Sequence, residues 1–371
     1  MSSVSPATFT RADLDQSPMI VFYEMTRACD LACRHCRADA QSACDPAELS
    51  TADAKRLIDQ LTQFPKPPLL VLTGGDPIKR PDVFEIIDYA RTRGLAVAMT
   101  PSATPLMTTN VVRRLKDAGL HRLAVSLDGA DVATHDGFRR VAGSYDRTLQ
   151  ILADAHAAGL PSQINTTVGR HNVHQIDAIA DLLANRHIDL WSVFFLVPTG
   201  RAEVEQCIPA EQYEEVFEKL WRHSAVQPYA IKTTEAPHYR RFLLQKAQLE
   251  RKAGGQSRPI TGRNVGTNDG KGILFVSHIG EIYPSGFLPI LCGRFPFESV
   301  VRVYRDSKLF QALRDGDRLG GKCGVCEYRN LCGGSRSRAF GVSGDPLATE
   351  PHCVYVPAQS PRESAPAATD V

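Results

Sequence analysis

The stretch TRACDLACRHCRA (residues 26–38) holds three cysteines in eight positions, with three residues between Cys29 and Cys33 and two between Cys33 and Cys36. It directly follows MIVFYEM (19–25), an apolar run with the length of a β-strand. The three thiols are therefore predicted to lie in the loop at the C-terminal end of the first strand. In parallel β/α folds this edge of the sheet gathers ligands and active sites.

Three cysteines without a neighbouring fourth indicate a metal site with one open position. An iron–sulfur cluster is normally held by four cysteines, so a group of three leaves one iron able to bind another ligand. Catalytic zinc sites keep an open position in the same way. A structural zinc site completed by His35 or Cys44 is the alternative, and the spacing of the cysteines alone leaves both open.

The sequence from residue 19 to about 198 alternates strand-like and helix-like segments. The predicted strands are 19–25, 68–76, 95–100, 122–129, 162–168 and 190–198, and the predicted helices between them are 51–64, 82–93, 109–118, 144–159 and 173–185. Such alternation predicts an α/β fold with parallel strands buried on both faces. A doubly wound sheet and a partial barrel both fit this pattern.

The pattern changes near residue 200. Two helices are predicted at 210–223 and near 236–251, followed by a polar, glycine-rich loop, a β-hairpin and a short helix at 254–272, 273–285 and 307–314. A second group of cysteines then follows, made of Cys323, Cys326, Cys332 and Cys353. Clustered cysteines in a long chain are typical of metal ligands rather than of a disulfide framework.

Composition excludes several partner classes. The 371 residues carry 43 basic and 41 acidic side chains, a net charge of +2, which gives no electrostatic reason to expect nucleic acid or an anionic membrane as a partner. The first 18 residues lack the apolar centre of a signal peptide, and the chain has no apolar run of about 18 residues. We therefore expect a cytoplasmic protein that does not cross a membrane.

Three motifs in chain order carry a family resemblance. C-x3-C-x2-C follows the first predicted strand, TGGDP (73–77) ends the second, and VSLDG (125–129) ends the fourth. In this order they resemble the radical S-adenosylmethionine (radical SAM) superfamily, with His35 where that family usually has an aromatic residue. The resemblance covers about residues 19–200 and implies a partial (β/α)6 barrel of the TIM type.

The resemblance also implies cofactors and the residues that bind them. In this family the open iron of a [4Fe–4S] cluster chelates S-adenosylmethionine, and one electron splits the latter to a 5′-deoxyadenosyl radical that removes a substrate hydrogen. Cys29, Cys33 and Cys36 would hold that cluster. The resemblance implies that Gly74, Gly75 and Asp76 contact the ammonium of S-adenosylmethionine, and that Ser126 and Asp128 contact its ribose and carboxylate. Asn165, Arg139 and Arg140 are further implied contacts. The strand segment 193–198 would lie beside the adenine or, as the alternative, belong to the core.

The second cysteine group, C-x2-C-x5-C followed by a distant cysteine, is similar to the SPASM/twitch extension of many radical SAM enzymes. This implies an auxiliary [4Fe–4S] cluster on Cys323, Cys326, Cys332 and Cys353, with a zinc ribbon as the alternative. Full SPASM domains hold a second, inner auxiliary cluster. Ser335 and Ser285 stand at two of its cysteine positions, so we predict two clusters in all, one catalytic and one auxiliary. Three cysteines, Cys44, Cys207 and Cys292, are left without an assigned cluster.

Five segments are predicted along the chain. They are an N-terminal extension (1–18), the radical SAM partial barrel (19–205), a helical connection (206–270), a SPASM/twitch-like domain for the auxiliary cluster (271–356) and a disordered tail (357–371).

The resemblance implies a radical SAM oxidoreductase that acts on a small-molecule biosynthetic intermediate, of tetrapyrrole, sugar or nucleoside type. The segments FVSHIGEIYPSGFLP (275–289) and KCGVCEYRNLCGGSRSRAF (322–340) look closest to the branch of haem d1 and alternative haem synthesis. An electron donor such as flavodoxin or ferredoxin is expected as a partner. A maturase of a ribosomally made peptide is one alternative, and a non-catalytic zinc or iron–sulfur binding protein is another.

Overall fold

A computed structural model describes residues 9–254 and 266–358. The predictions for the first eight residues, for most of the glycine-rich loop and for nearly all of the predicted disordered tail lie outside these ranges.

One ten-stranded sheet organises the molecule. Its strands are β1 (Ile20–Thr26), β2 (Leu69–Gly74), β3 (Val97–Met99), β4 (Arg122–Ser126), β5 (Ser162–Val168), β6 (Leu190–Phe195), β7 (Ala230–Thr234), β8 (Ile273–Val276), β9 (Glu281–Tyr283) and β10 (Gly293–Arg294). They follow the order β10-β9-β8-β1-β2-β3-β4-β5-β6-β7. Strands β1 to β7 are parallel and in sequence order, as in an opened barrel, and β8 is parallel to β1.

Helices precede, connect and follow these strands along the chain. They are α1 (Asp13–Gln16), α2 (Thr51–Leu61), α3 (Val83–Thr92), α4 (Thr109–Asp117), α5 (Val132–Arg139), α6 (Ser144–Ala157), α7 (Ile176–Ala184), α8 (Ala210–His223), α9 (His238–Lys252), α10 (Val300–Asp306), α11 (Lys308–Arg314), α12 (Gly321–Val325) and α13 (Arg336–Ser343). None of them, within the described residues, is long and apolar enough to cross a membrane.

The predicted α/β class is confirmed, and all six predicted strands and the five helices between them are present. The sheet contains two strands that the sequence did not predict. The residues of β7, Ala-Ile-Lys-Thr-Thr, are at most partly buried and form no apolar run, and β10 has only two residues. The hairpin β8–β9 was predicted, but its pairing with β1 in the same sheet was not. The predicted domain limits stay predictions.

Alternation along the strands separates a core face from an open face. Val21, Tyr23 and Met25 of β1 join the apolar core beneath the helices. The residues between them point to the opposite face, where Glu24 of β1 lies beside Thr73 of β2. The C-terminal ends of the parallel strands therefore meet around one concave surface, which positions the candidate site.

Candidate functional site

The cysteine loop after β1 is fixed by hydrogen bonds to its sulfurs. The Cys29 Sγ accepts from the backbone N–H of Leu31 at 3.3 Å, and the Cys36 Sγ accepts from that of Ala40 at 3.3 Å. Cys29 and Cys33 are buried and Cys36 is partly buried. Cys29 and Cys33 pack together with Cys36 against them at the predicted edge of the sheet. The backbone N–H groups aimed at Cys29 and Cys36 are the donors that a metal-bound thiolate accepts.

The glycine turn after β2 packs directly on the start of this loop. Gly75 donates its N–H to the carbonyl of Thr26 at 2.7 Å, and Asp76 donates to that of Ala28 at 2.7 Å. A Cβ on Gly75 would lie 2.3 Å from the Ala28 oxygen, and one on Gly74, whose φ is +149°, would lie 2.2 Å from the Thr26 oxygen. Only glycine permits this approach, so the turn and the cysteine loop form one unit.

Asp76 lies behind the turn rather than at its surface. Its fully buried carboxylate accepts from the backbone N–H of Ile78 at 3.3 Å, from that of Ser102 at 3.3 Å and from the Thr104 hydroxyl at 2.8 Å. Burial raises the pKa of this carboxyl. The side chain holds the loop after β3 against the turn, and the predicted contact with a ligand ammonium stays a prediction that would add to these three hydrogen bonds.

Ser102 was not predicted from sequence, since no motif surrounds it. Its hydroxyl donates to the Gly75 carbonyl at 2.9 Å and lies 3.2 Å from the Cys29 Sγ. It therefore joins the loop after β3 to both motifs at once.

Substituting Gly75 with alanine is expected to disturb the site without unfolding the protein. The added methyl group would force the turn away from the cysteine loop, and overpacking of this kind costs about 1–3 kcal/mol. We expect weaker S-adenosylmethionine binding by equilibrium titration of the reconstituted protein. Gly137→Ala is the control, because a Cβ there meets nothing within 4 Å. Equal affinities for the two variants would contradict the assignment of the turn.

Asp128 and Arg139 form a buried ion pair beside the cysteines. Both Nε (2.7 Å) and Nη2 of Arg139 donate to one Asp128 oxygen, and the other oxygen accepts from the Thr167 N–H at 2.6 Å. Burial acts to raise the pKa of Asp128, but the charge of Arg139, together with His35, His135 and the hydrogen bond from Thr167, outweighs it and holds that pKa at about 2. The Arg139 Nη1 lies 3.6 Å from the Cys33 Sγ. Asp128 thus orients Arg139 toward Cys33, which is predicted to be a cluster ligand.

An open cavity of about 460 Å³ lies next to these groups. Four of the residues predicted to bind S-adenosylmethionine, Gly74, Gly75, Ser126 and Arg139, are among those that line it, with Leu31, Thr73, Thr100, Pro101, Ser102, Ala103 and Ser144. Asn165 is paired in register with Ser126 on the adjacent strand and accepts from the Gln163 amide at 2.6 Å. Asp76 and Asp128 support this cavity from behind its wall.

Other predicted contacts lie farther from the cavity wall. Arg140 is exposed and ends α5 in a left-handed conformation. Val193 and Phe195 belong to the apolar core, as the alternative for the 193–198 segment expected.

His35 stacks on Phe138 with ring centroids 4.2 Å apart, and Phe138 stacks in turn on His171 at 3.7 Å. The histidine that replaces the usual aromatic therefore still acts as a flat stacking group.

The four C-terminal cysteines line one cavity of about 430 Å³. Each of their sulfurs accepts a backbone N–H: from Glu350 to Cys323 (3.3 Å), from Tyr328 to Cys326 (3.4 Å), from Gly334 to Cys332 (3.4 Å) and from Tyr355 to Cys353. Arg336 adds a guanidinium Nη2 at 3.7 Å from the Cys323 Sγ. Four convergent thiols with N–H donors are the donor set that a [4Fe–4S] cluster takes.

The two serines at the inner-cluster positions have other partners. Ser335 caps α13 through the Arg338 N–H at 3.1 Å and donates to the Glu235 carboxylate at 2.5 Å. Ser285 lies 3.3 Å from the hydroxyl of Ser337. The Cys292 Sγ bonds to the carbonyl of Ile290, two residues earlier, at 3.4 Å and packs against the main core. The absence of an inner cluster stays a prediction.

The residues present fit the two iron–sulfur groups that the sequence predicts. The cysteine loop after β1 supplies three thiols, and the turn after β2 supplies a glycine cradle beside an open cavity. The C-terminal segment supplies four thiols around one cavity. Within the ranges that the structure describes, no three His, Cys, Asp or Glu side chains are grouped as they would be around a single metal ion.

Comparison with known sequences agrees with the motifs. Residues 23–183 match the family model described as "Radical SAM superfamily". Two relatives named "AdoMet-dependent heme synthase" come from Nitratidesulfovibrio vulgaris (40% identical, 92% of this chain and 94% of the relative) and Methanosarcina barkeri (37%, 93% and 98%). A third, named "Fe-coproporphyrin III synthase", from Methanosarcina barkeri, is 29% identical over 94% of this chain and 90% of its own.

Solved structures share the fold. SuiB of Streptococcus suis, bound to S-adenosylmethionine, superposes with a TM-score of 0.68 over 92% of this chain and 78% of its own, at 16% identity. The protein anSMEcpe with bound AdoMet gives 0.68 over 91% and 94%, at 12% identity. The partial barrel and its C-terminal extension are thus an architecture already seen with that ligand bound.

Proposed function

The chain belongs to the radical SAM superfamily, and on this premise we propose that it acts in haem synthesis on an iron porphyrin whose side chains carry carboxylates. The observation that carries the proposal is the full-length similarity, at 37% and 40% identity, to the two proteins named as haem synthases. The third relative's name supplies the porphyrin to test, Fe-coproporphyrin III. The superfamily implies an enzyme that uses S-adenosylmethionine and a [4Fe–4S] cluster.

Radical chemistry fits the conversion of Fe-coproporphyrin III to haem. Converting a propionate side chain to the vinyl group of haem removes one hydrogen atom, one electron and carbon dioxide. Bound S-adenosylmethionine and its cluster supply the 5′-deoxyadenosyl radical that takes such a hydrogen atom. The electron left on the substrate needs an acceptor. An auxiliary [4Fe–4S] cluster on the four C-terminal cysteines is our candidate for it.

The chain's own residues would bind the catalytic cluster and orient S-adenosylmethionine beside it. Cys29, Cys33 and Cys36 would hold the catalytic cluster, with Arg139 fixed beside Cys33 by Asp128. The backbone at Gly74 and Gly75, together with Ser126 and Asn165 on neighbouring strands, would position S-adenosylmethionine in the 460 Å³ cavity. Asp76 would act by holding the turn.

We also propose an electron donor and a cellular location. A small reductant protein such as flavodoxin or ferredoxin would supply the electron that starts each cycle. A cytoplasmic location follows from the expectation that iron–sulfur clusters with open iron need a reducing compartment.

The test is porphyrin turnover under anaerobic conditions. Reconstituted protein supplied with S-adenosylmethionine, dithionite and Fe-coproporphyrin III is expected to release haem and carbon dioxide together with 5′-deoxyadenosine, all measured by chromatography and mass spectrometry. The Cys33→Ala protein should form none of them. Cleavage of S-adenosylmethionine with the porphyrin unchanged would reject haem synthesis. In that case a peptide maturase would become the leading hypothesis.

A further inference from the structure

A single histidine faces the four-cysteine cavity with no hydrogen-bond partner. His238 begins α9, its ring is fully buried, and it lines the cavity together with Cys323, Cys326, Cys332 and Cys353. Neither Nδ1 nor Nε2 has a partner in the part of the chain that the structure describes.

A buried imidazole without a partner is costly. One of its two nitrogens always carries a hydrogen, and leaving a buried donor unsatisfied costs about 1–3 kcal/mol. Such an orphaned group in a native protein calls for an explanation, for example a ligand that completes the site.

The protein groups around His238 are already engaged or cannot accept. Its nearest rings are Phe217 and Tyr213, with centroids 4.9 and 5.2 Å away, and the Tyr213 hydroxyl is bonded to His352 at 3.1 Å. The Glu350 carboxylate, whose charge acts on His238, accepts from Arg338, from the Ser335 N–H at 2.6 Å and from the His352 N–H at 3.1 Å. Of the hydroxyls that line the cavity, that of Thr349 accepts from the Lys322 N–H at 2.9 Å and that of Tyr355 donates to Glu327, so the four cysteine sulfurs and the Tyr328 hydroxyl are the side-chain acceptors that remain.

We infer that His238 donates its ring N–H to a sulfur of the auxiliary cluster and thereby favours the reduced state of that cluster. The inference rests on the proposed function, which places the cluster on these four cysteines. Reduction adds negative charge to the cluster and its sulfurs, so a fixed N–H donor binds the reduced form more strongly. His238 is thus a positioning and tuning residue rather than a ligand.

The test isolates the auxiliary cluster. The protein with Cys29, Cys33 and Cys36 changed to alanine should hold only this cluster, whose midpoint potential is measured by reductive titration with visible and EPR spectroscopy. In this background His238→Phe is expected to lower the ratio of reduced to oxidised cluster about tenfold at a fixed potential, which is about 59 mV for a one-electron couple. His238→Gln keeps an N–H donor and should recover part of the shift.

Tyr239→Phe is the matched control, because Tyr239 is buried on the same helix but does not line the cavity. An unchanged potential in a His238→Phe protein that holds the cluster would overturn the inference alone. A background protein without bound iron would overturn the auxiliary cluster itself, and the inference with it. The two failures are therefore distinguishable.

A measurement on the unsubstituted His238 keeps the inference testable if the phenylalanine variant does not fold. With 15N-labelled histidine in the same background, pulsed EPR of the reduced cluster should show a weak coupling to one imidazole nitrogen, which His238→Gln removes. The absence of that coupling, or its survival in His238→Gln through another histidine such as His352, would overturn the inference.

Discussion

Changing Cys29, Cys33 and Cys36 together to alanine is expected to abolish the reductive cleavage of S-adenosylmethionine and to halve the iron content, from about eight to about four irons per chain. The expectation follows from the placement of the three sulfurs in one loop, next to the glycine turn and the open cavity. The iron that remains should be held by the four C-terminal cysteines.

Iron and sulfide analysis with Mössbauer spectroscopy measures the cluster count, and chromatography of 5′-deoxyadenosine measures the cleavage. Cys44→Ala is the matched control, because Cys44 is exposed and follows the same loop. It should leave both quantities unchanged, whereas a zinc site completed by Cys44 would lose its metal. About eight irons remaining in the triple variant would mean that an inner auxiliary cluster exists and that our interpretation of Ser285 and Ser335 is wrong.

Sequence alone could predict the parts of the site that are continuous in the chain. The cysteine spacing, the TGGDP turn and the alternation of strands are local patterns, and the fold brings them together because parallel strands end at one edge. The interpretation of the serines at 285 and 335 as missing thiolates rests on the family resemblance and stays a prediction.

The supporting contacts could not be predicted, because they join distant segments through single side chains. Ser102 stands in an ordinary loop, yet its hydroxyl connects the cysteine loop and the glycine turn. Asp128 lies in a sequence typical of a ligand-binding turn, but one of its carboxylate oxygens accepts from Arg139 and the other from the Thr167 N–H. Which groups a carboxylate faces depends on packing that no local pattern encodes.

Replacing Arg338 with methionine is expected to loosen the C-terminal segment from the sheet. Arg338 lies on α13 with no exposed surface and pairs with the buried Glu350 at 3.2 Å. Its guanidinium also donates to the carbonyls of Phe195, the last residue of β6, at 3.2 Å and of Leu196 at 3.4 Å. It donates as well to the carbonyl of Glu235, directly after β7, at 2.7 Å. The Arg338 side chain thus links α13, which follows Cys332, to the C-terminal ends of β6 and β7.

The expected effect is large because the substitution leaves the buried Glu350 carboxylate without its ion-pair partner. Removing one partner of a buried ion pair costs about 3–5 kcal/mol, and the lost carbonyl contacts add to it. Methionine keeps most of the apolar volume, so the loss reports charge and hydrogen bonding rather than a cavity. We expect the backbone amides of α13 to exchange with solvent about two to four orders of magnitude faster.

Hydrogen exchange followed by mass spectrometry on the anaerobic, cluster-loaded protein measures this opening locally. Arg91→Met is the matched control, since Arg91 pairs with Asp88 on the surface and both side chains are more than half exposed. Such a pair contributes at most about 1 kcal/mol. The double variant Arg338→Met/Glu350→Gln removes both charges and should recover part of the protection, because the penalty of the single variant lies mainly in the unpaired carboxylate. Protection of α13 that is unchanged in Arg338→Met would show that apolar packing, and not this buried pair, holds the auxiliary segment on the barrel.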